Sequence, residues 1–125
     1  MPVPRITKEE LKQRLEGSEP AAAPVIIDVR LKYPYEHSTV TLPGAIRVLP
    51  YEPPPSTLPR DRDLVAYDSD PDELVSARVT ATLIRQGYRA RALRGGIADW
   101  LSAKYPTDAK EAPKQKPPEA GALKG

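Results

Sequence analysis

The sequence predicts a single α/β domain built on a parallel sheet. Three observations point there. Short β-branched runs alternate with helix-like segments along most of the chain. The run Pro24-Val25-Ile26-Ile27-Asp28-Val29 is apolar without alternation, as in a strand covered on both faces. The strand-like Leu64–Tyr67 leads through an acidic turn into a long amphipathic segment, the strand–loop–helix junction at which open α/β sheets hold their functional groups.

The elements follow in order. Thr7 caps a helix over Lys8–Leu15, with Glu10 three residues on to complete a capping box and Gly17 to end it. Leu11 and Leu15 supply its apolar stripe. Val25–Val29 is the first strand. Tyr33–Thr41 is a polar, exposed loop that contains His37, the only histidine of the chain. Leu42-Pro43-Gly44-Ala45 turns into a short strand at Ile46-Arg47-Val48, and Pro53, Pro54 and Pro55 stiffen the following loop. Leu64–Tyr67 is the next strand. Leu74–Gln86 is a helix with Val75, Val79, Leu83, Ala77, Ala81 and Ile84 inward, stopped at Gly87. Tyr88–Leu93 is another strand, and Gly95 and Gly96 allow the tight turn into a last helix anchored in the core by Trp100 and Leu101.

The domain organisation expected is a lead-in over 1–23 that belongs to the domain, the domain proper over 24–108, and a disordered Pro/Lys-rich tail over 109–125. A chain of 125 residues with a net charge of +2 is an ordinary single domain, not a nucleic-acid binder by charge. Arg85, Arg89, Arg91 and Arg94 read as a solvated strand edge whose charges discourage pairing, since too few aromatic residues accompany them for stacking on bases. No apolar run reaches the ~20 residues that span a bilayer, and MPVPRITKEELKQ lacks the apolar middle of a signal peptide. The expectations are a cytoplasmic protein, monomeric or weakly dimeric, with a protein partner and neither nucleic acid nor membrane.

The chain has no cysteine, which removes disulfides, thiolate nucleophiles and thiolate metal sites. With one histidine, any metal would have to be a hard cation on carboxylates. No cofactor and no metal are expected.

Several pieces together resemble the rhodanese-like domain family: Ile27-Asp28-Val29-Arg30, Leu42-Pro43-Gly44-Ala45-Ile46, Leu64-Val65-Ala66-Tyr67, Ser76-Ala77-Arg78-Val79 and Leu93-Arg94-Gly95-Gly96-Ile97-Ala98-Asp99-Trp100. The resemblance implies an α/β fold with a central, mostly parallel five-stranded sheet flanked by helices. It also implies sulfur transfer through a cysteine persulfide, at a cysteine placed directly after a strand. Asp68 stands at that position, and Thr41 stands where the family turn carries a histidine. A carboxylate cannot store a transferable sulfane sulfur. The former active-site loop is therefore Asp68, Ser69, Asp70, Pro71, Asp72 and Glu73, with Ser76 and Arg78 in the helix beyond, and no residue is assigned as catalytic.

Position and residue type make Asp70 an N-cap, Pro71 the first helical residue, and Glu73 the partner of Asp70 in a capping box. Asp68 has no such duty and reads as a drifted site. Arg78 could offset one of the loop charges. Asp28 is expected to accept loop N–H groups, and Arg30 to pair on the surface. The reading that follows is an inactive rhodanese-like module that binds or regulates. The alternative is an enzyme of sulfurtransferase ancestry with altered chemistry, metal-assisted or not, at Asp68 and Asp70.

Overall fold

The computed structural model describes residues 3–17, 19, 22–69 and 73–110. Its elements are β1 (Arg5–Ile6), α1 (Lys8–Gly17), β2 (Val25–Asp28), α2 (Lys32–Glu36), β3 (Val40–Thr41), β4 (Ile46–Arg47), β5 (Asp63–Tyr67), α3 (Leu74–Arg85), β6 (Arg89–Leu93), α4 (Gly96–Ser102) and β7 (Asp108–Ala109). Five strands form one sheet in the order β1-β6-β5-β2-β4, and every pair in it is parallel. β3 and β7 make a separate antiparallel pair.

The run at 25–28 is apolar without alternation because both faces of β2 are covered. Val25 and Ile27 join Leu64, Ala66, Val75, Val79 and Leu83 in a core beneath α3. Ile26 faces the other way, with Val65, Tyr67, Leu11, Ile97 and Trp100, in a core beneath α1 and α4. One strand thus feeds two cores through the two-residue period of its side chains. Thr7 caps α1 as expected, its Oγ1 accepting the Glu10 N–H at 3.1 Å. Trp100 is fully buried, and its Nε1 donates to the Pro106 carbonyl at 2.7 Å.

Several expectations are corrected. The 33–41 stretch is not a plain loop, since it contains most of α2 and all of β3. His37 ends α2 and stacks on Tyr33 with ring centroids 4.0 Å apart. On α3 the inward residues besides Val75, Val79 and Leu83 are Ser76 and Thr80, whereas Ile84 is exposed. The helix is rotated so that two small polar residues are buried with its apolar ones. Leu101 is exposed as well. β6 is not an edge strand: β1 pairs with its Ala92 and Leu93, and Arg89 pairs with Asp63 at 2.9 Å. The boundary at 109 falls inside β7, where Ala109 pairs with Val40 and the Lys110 N–H donates to the Thr39 carbonyl at 2.9 Å. Residues 111–125 lie outside the described residues.

Candidate functional site

β5 ends at Tyr67, and Asp68 is the first residue beyond it, at the carboxyl end of a central strand. Its side chain is buried, 1% exposed. Its Oδ2 accepts the Ser76 N–H at 2.6 Å. Ser76 is the third residue of α3, so its N–H is one of those a helix cannot satisfy internally. Asp68 therefore performs an N-capping duty that sequence reasoning gave to Asp70. The signal was obscured because the cap comes from eight residues upstream, outside the local window of a capping box. Asp70, Pro71 and Asp72 lie outside the described residues.

The backbone of Asp68 is fixed from the other side. Its carbonyl accepts the Ile97 N–H at 3.0 Å. Gly96, at φ +61°, packs so closely that a Cβ there would lie 2.5 Å from the Asp68 carbonyl oxygen. This is a close approach that only glycine permits.

Glu73 is the N-cap residue just before α3 rather than part of its first turn, in the left-handed conformation at φ 61°, and its side chain makes no capping bond to that helix. Its carboxylate instead accepts from Arg5 Nε at 2.6 Å and from the Gly95 N–H at 3.2 Å. The cation that reaches the loop is thus Arg5, 68 positions away. Arg78 points to solvent on α3, beside a shallow groove lined with Val48, Glu52, Pro54 and Thr82. Ser76 is fully buried, and its hydroxyl lies 3.4 Å from the Glu73 carbonyl, to which it donates. Ser69 lies between the buried strand end and the undescribed residues, half-buried.

Behind Asp68 sits a second buried charge centre, and here another expectation fails. Arg30 is 2% exposed, not a surface residue. Its Nη2 and Nε hold the Asp28 carboxylate at 2.6 and 3.0 Å, and its backbone N–H donates to Asp28 Oδ1 at 3.1 Å, the local bond expected of Asp28. The Tyr67 hydroxyl donates to Asp28 Oδ2 at 2.8 Å and accepts the Leu42 N–H at 3.3 Å. Arg47 adds a guanidinium 3.7 Å from Asp28 Oδ1 and donates to the Arg30 carbonyl at 2.6 Å. Burial, and the Asp28 charge beside it, push the Tyr67 hydroxyl far above its ordinary pKa. Desolvation is the largest influence on the Arg30 pKa and lowers it, but the hydrogen bonds it donates to Asp28, the Asp28 charge and the nearby Tyr67 and Tyr35 together raise it. Asp28 at the end of β2 and Arg30 two residues on make a satisfied, structural ion pair.

The arrangement has chemical consequences. Among the described residues no three Asp, Glu or His side chains gather as a metal site would require. Asp68 is a buried acceptor, and Glu73 is held between Arg5 and Gly95. Thr41 Oγ1 donates to the Leu42 carbonyl at 3.0 Å. No helix among the described residues is long and apolar enough to cross a membrane.

Comparison with known proteins agrees with this architecture. The family model described as the rhodanese-like domain matches residues 7–103. The fold is similar to a rhodanese-related protein of Thermoplasma volcanium, with TM-score 0.70 and 19% identity over 86% of this chain and 99% of that one. It is similar to a rhodanese-like domain protein of Staphylococcus aureus, with TM-score 0.65 and 25% identity over 78% of this chain and 90% of that one. A thiosulfate sulfurtransferase of Pseudomonas aeruginosa matches at TM-score 0.69 and 20% identity, over 86% of this chain and only 19% of that protein. No curated relative matches the chain. The five-stranded parallel sheet, the strand-end junction at Asp68 and the family match over most of the length leave one assignment: the chain belongs to the rhodanese-like domain family, as a member without cysteine.

Proposed function

We propose that this rhodanese-like domain does not pass sulfur through a persulfide and serves as a protein-binding or regulatory module. In this reading Asp68 takes the place of the family's sulfur-carrying cysteine. The observation that carries it is the Asp68 carboxylate itself: buried, bonded to the Ser76 N–H and tied through its carbonyl to α4. A nucleophile must be soft and free to attack sulfur, and the leaving thiolate must be stable. A carboxylate that caps a helix meets none of these requirements. The absence of any thiol in 125 residues removes every substitute nucleophile of that kind.

Incubation of the purified protein with thiosulfate and cyanide tests this directly. The expected result is thiocyanate at the level of a protein-free blank. Production above the blank that scales with protein concentration overturns the reading. The partner is sought by affinity capture from the native host and identified by reconstitution from purified components. If no reconstituted complex survives, the binding role falls while the loss of sulfur transfer stands.

A further inference from the structure

We propose that Glu73 is a latch that holds β1 on the sheet, so that β1 and the first turn of α3 open together and bare the edge of β6. Three features converge on this residue. β1 contributes only two residues to the sheet, at its outer edge, and is tied to β6 by the Ala92 N–H to the Pro4 carbonyl (3.0 Å) and the Arg94 N–H to the Ile6 carbonyl (2.9 Å). So short a strand is weak alone. Arg5, one of its two residues, reaches Glu73 at 2.6 Å, with side chains only 28% and 11% exposed. Glu73 also accepts the Gly95 N–H at the start of α4. A single carboxylate thus joins β1, α3 and α4.

The backbone of Glu73 supplies the stored tension. Its φ of 61° lies in the left-handed region that L residues with a Cβ avoid. Such a conformation persists where surrounding contacts impose it: here the Ala77 N–H and the Ser76 hydroxyl hold the Glu73 carbonyl at the start of α3, while Arg5 and the Gly95 N–H hold its side chain. When the pair breaks, Arg5 loses its anchor and the strained Glu73 is held only through the first turn of α3, which opens with it. The next motion is separation of β1 from Ala92 and Leu93, which presents the freed backbone groups of β6 to solvent. Segments that open in this way do so as cooperative units. This inference does not rest on the loss of sulfur transfer, and its test reads exchange rather than activity.

Native-state amide hydrogen exchange on Glu73→Gln and on Arg5→Gln decides it. The expected result in each is a rise of at least fivefold in the exchange of Ala92, Arg94 and Ser76 together. Val29, whose N–H donates to the Tyr67 carbonyl in the sheet centre, stays within twofold and so excludes global unfolding. The double variant adds little to either single change, because both remove one contact. Arg5→Lys, which keeps the charge, is expected to retain most of the protection and serves if a glutamine variant fails to fold. Exchange that rises at Ser76 while Ala92 and Arg94 keep wild-type protection overturns the latch, as does wild-type protection at all three or effects that simply add.

Discussion

Asp68 Oδ2 stands 2.6 Å from the Ser76 nitrogen, inside the protein and at the third residue of α3. The first residue beyond the central strand β5 does the work of a helix cap. Removal of a capping acceptor costs about 1–2 kcal/mol. Asp68→Ala is therefore expected to lower the unfolding free energy by that amount, read in urea as a lower midpoint at unchanged slope, and Asp68→Asn, which keeps an acceptor oxygen, by less. Equal stability of Asp68→Ala and wild type would show that the bond does not contribute.

Arg30 is held by Asp28 in a fully buried pair. Removal of one partner strands a charge in the core, at a cost of about 3–5 kcal/mol. Arg30→Met is expected to lose stability in that range by equilibrium denaturation. The double change Asp28→Leu with Arg30→Met is expected to recover part of the loss, because no charge then remains buried. A cost for Arg30→Met below about 1 kcal/mol would place the pair in water rather than in the core.

Thr80 Oγ1 is buried and, among the described residues, has no hydrogen-bond partner. An unpaired buried hydroxyl costs on the order of 1 kcal/mol or more. Thr80→Val keeps the β-branched shape and removes that penalty. The expected outcome is a melting temperature a few degrees higher. A lower one would mean that the hydroxyl is satisfied in solution.

The sheet was legible in the sequence because its strands are short apolar runs at the spacing of alternating strands and helices, and β2 shows it most clearly at Val25–Asp28. β1 was not, since Arg5–Ile6 is too short to leave a pattern. It is held by long-range pairing with Ala92 and Leu93. The face of α3 was misread because Ala77, Ala81 and Ile84 share the helical period with the true stripe, and hydrophobicity alone does not reveal that Ser76 and Thr80 are buried beside it. The strand–loop–helix junction at the end of β5 was legible, and so was the absence of cysteine. The duties of Asp68, Glu73 and Arg30 were not, because each depends on where its partner lies. Arg30 is instructive: a guanidinium reads as surface by default, and only the carboxylate two residues earlier, turned to the same side by the end of β2, allows it inside.

Tyr67 carries the last prediction, an alkaline one. Burial favours its neutral phenol, and the neighbouring Asp28 charge opposes ionisation further, so its pKa in the folded state lies above the ordinary value near 10. The sign follows from linkage. Below pH 10 the phenol is neutral in both states, and stability does not depend on it. Above pH 10 the unfolded chain releases this proton and the folded protein keeps it, so stability falls as pH rises, by up to about 1.4 kcal/mol per pH unit. Tyr67→Phe removes that contribution. At neutral pH the variant is expected to be less stable by about 1–3 kcal/mol, because the Asp28 carboxylate loses a donor and the Leu42 N–H an acceptor in the core. Above pH 10 the gap between the two proteins is expected to narrow, since only the wild type loses the contribution of this group, and the other five tyrosines titrate equally in both. Denaturation curves of the pair from pH 7 to 11 measure the gap. A gap that stays constant across that range would mean the hydroxyl ionises as freely in the folded protein as in the unfolded chain, and would contradict its placement against Asp28.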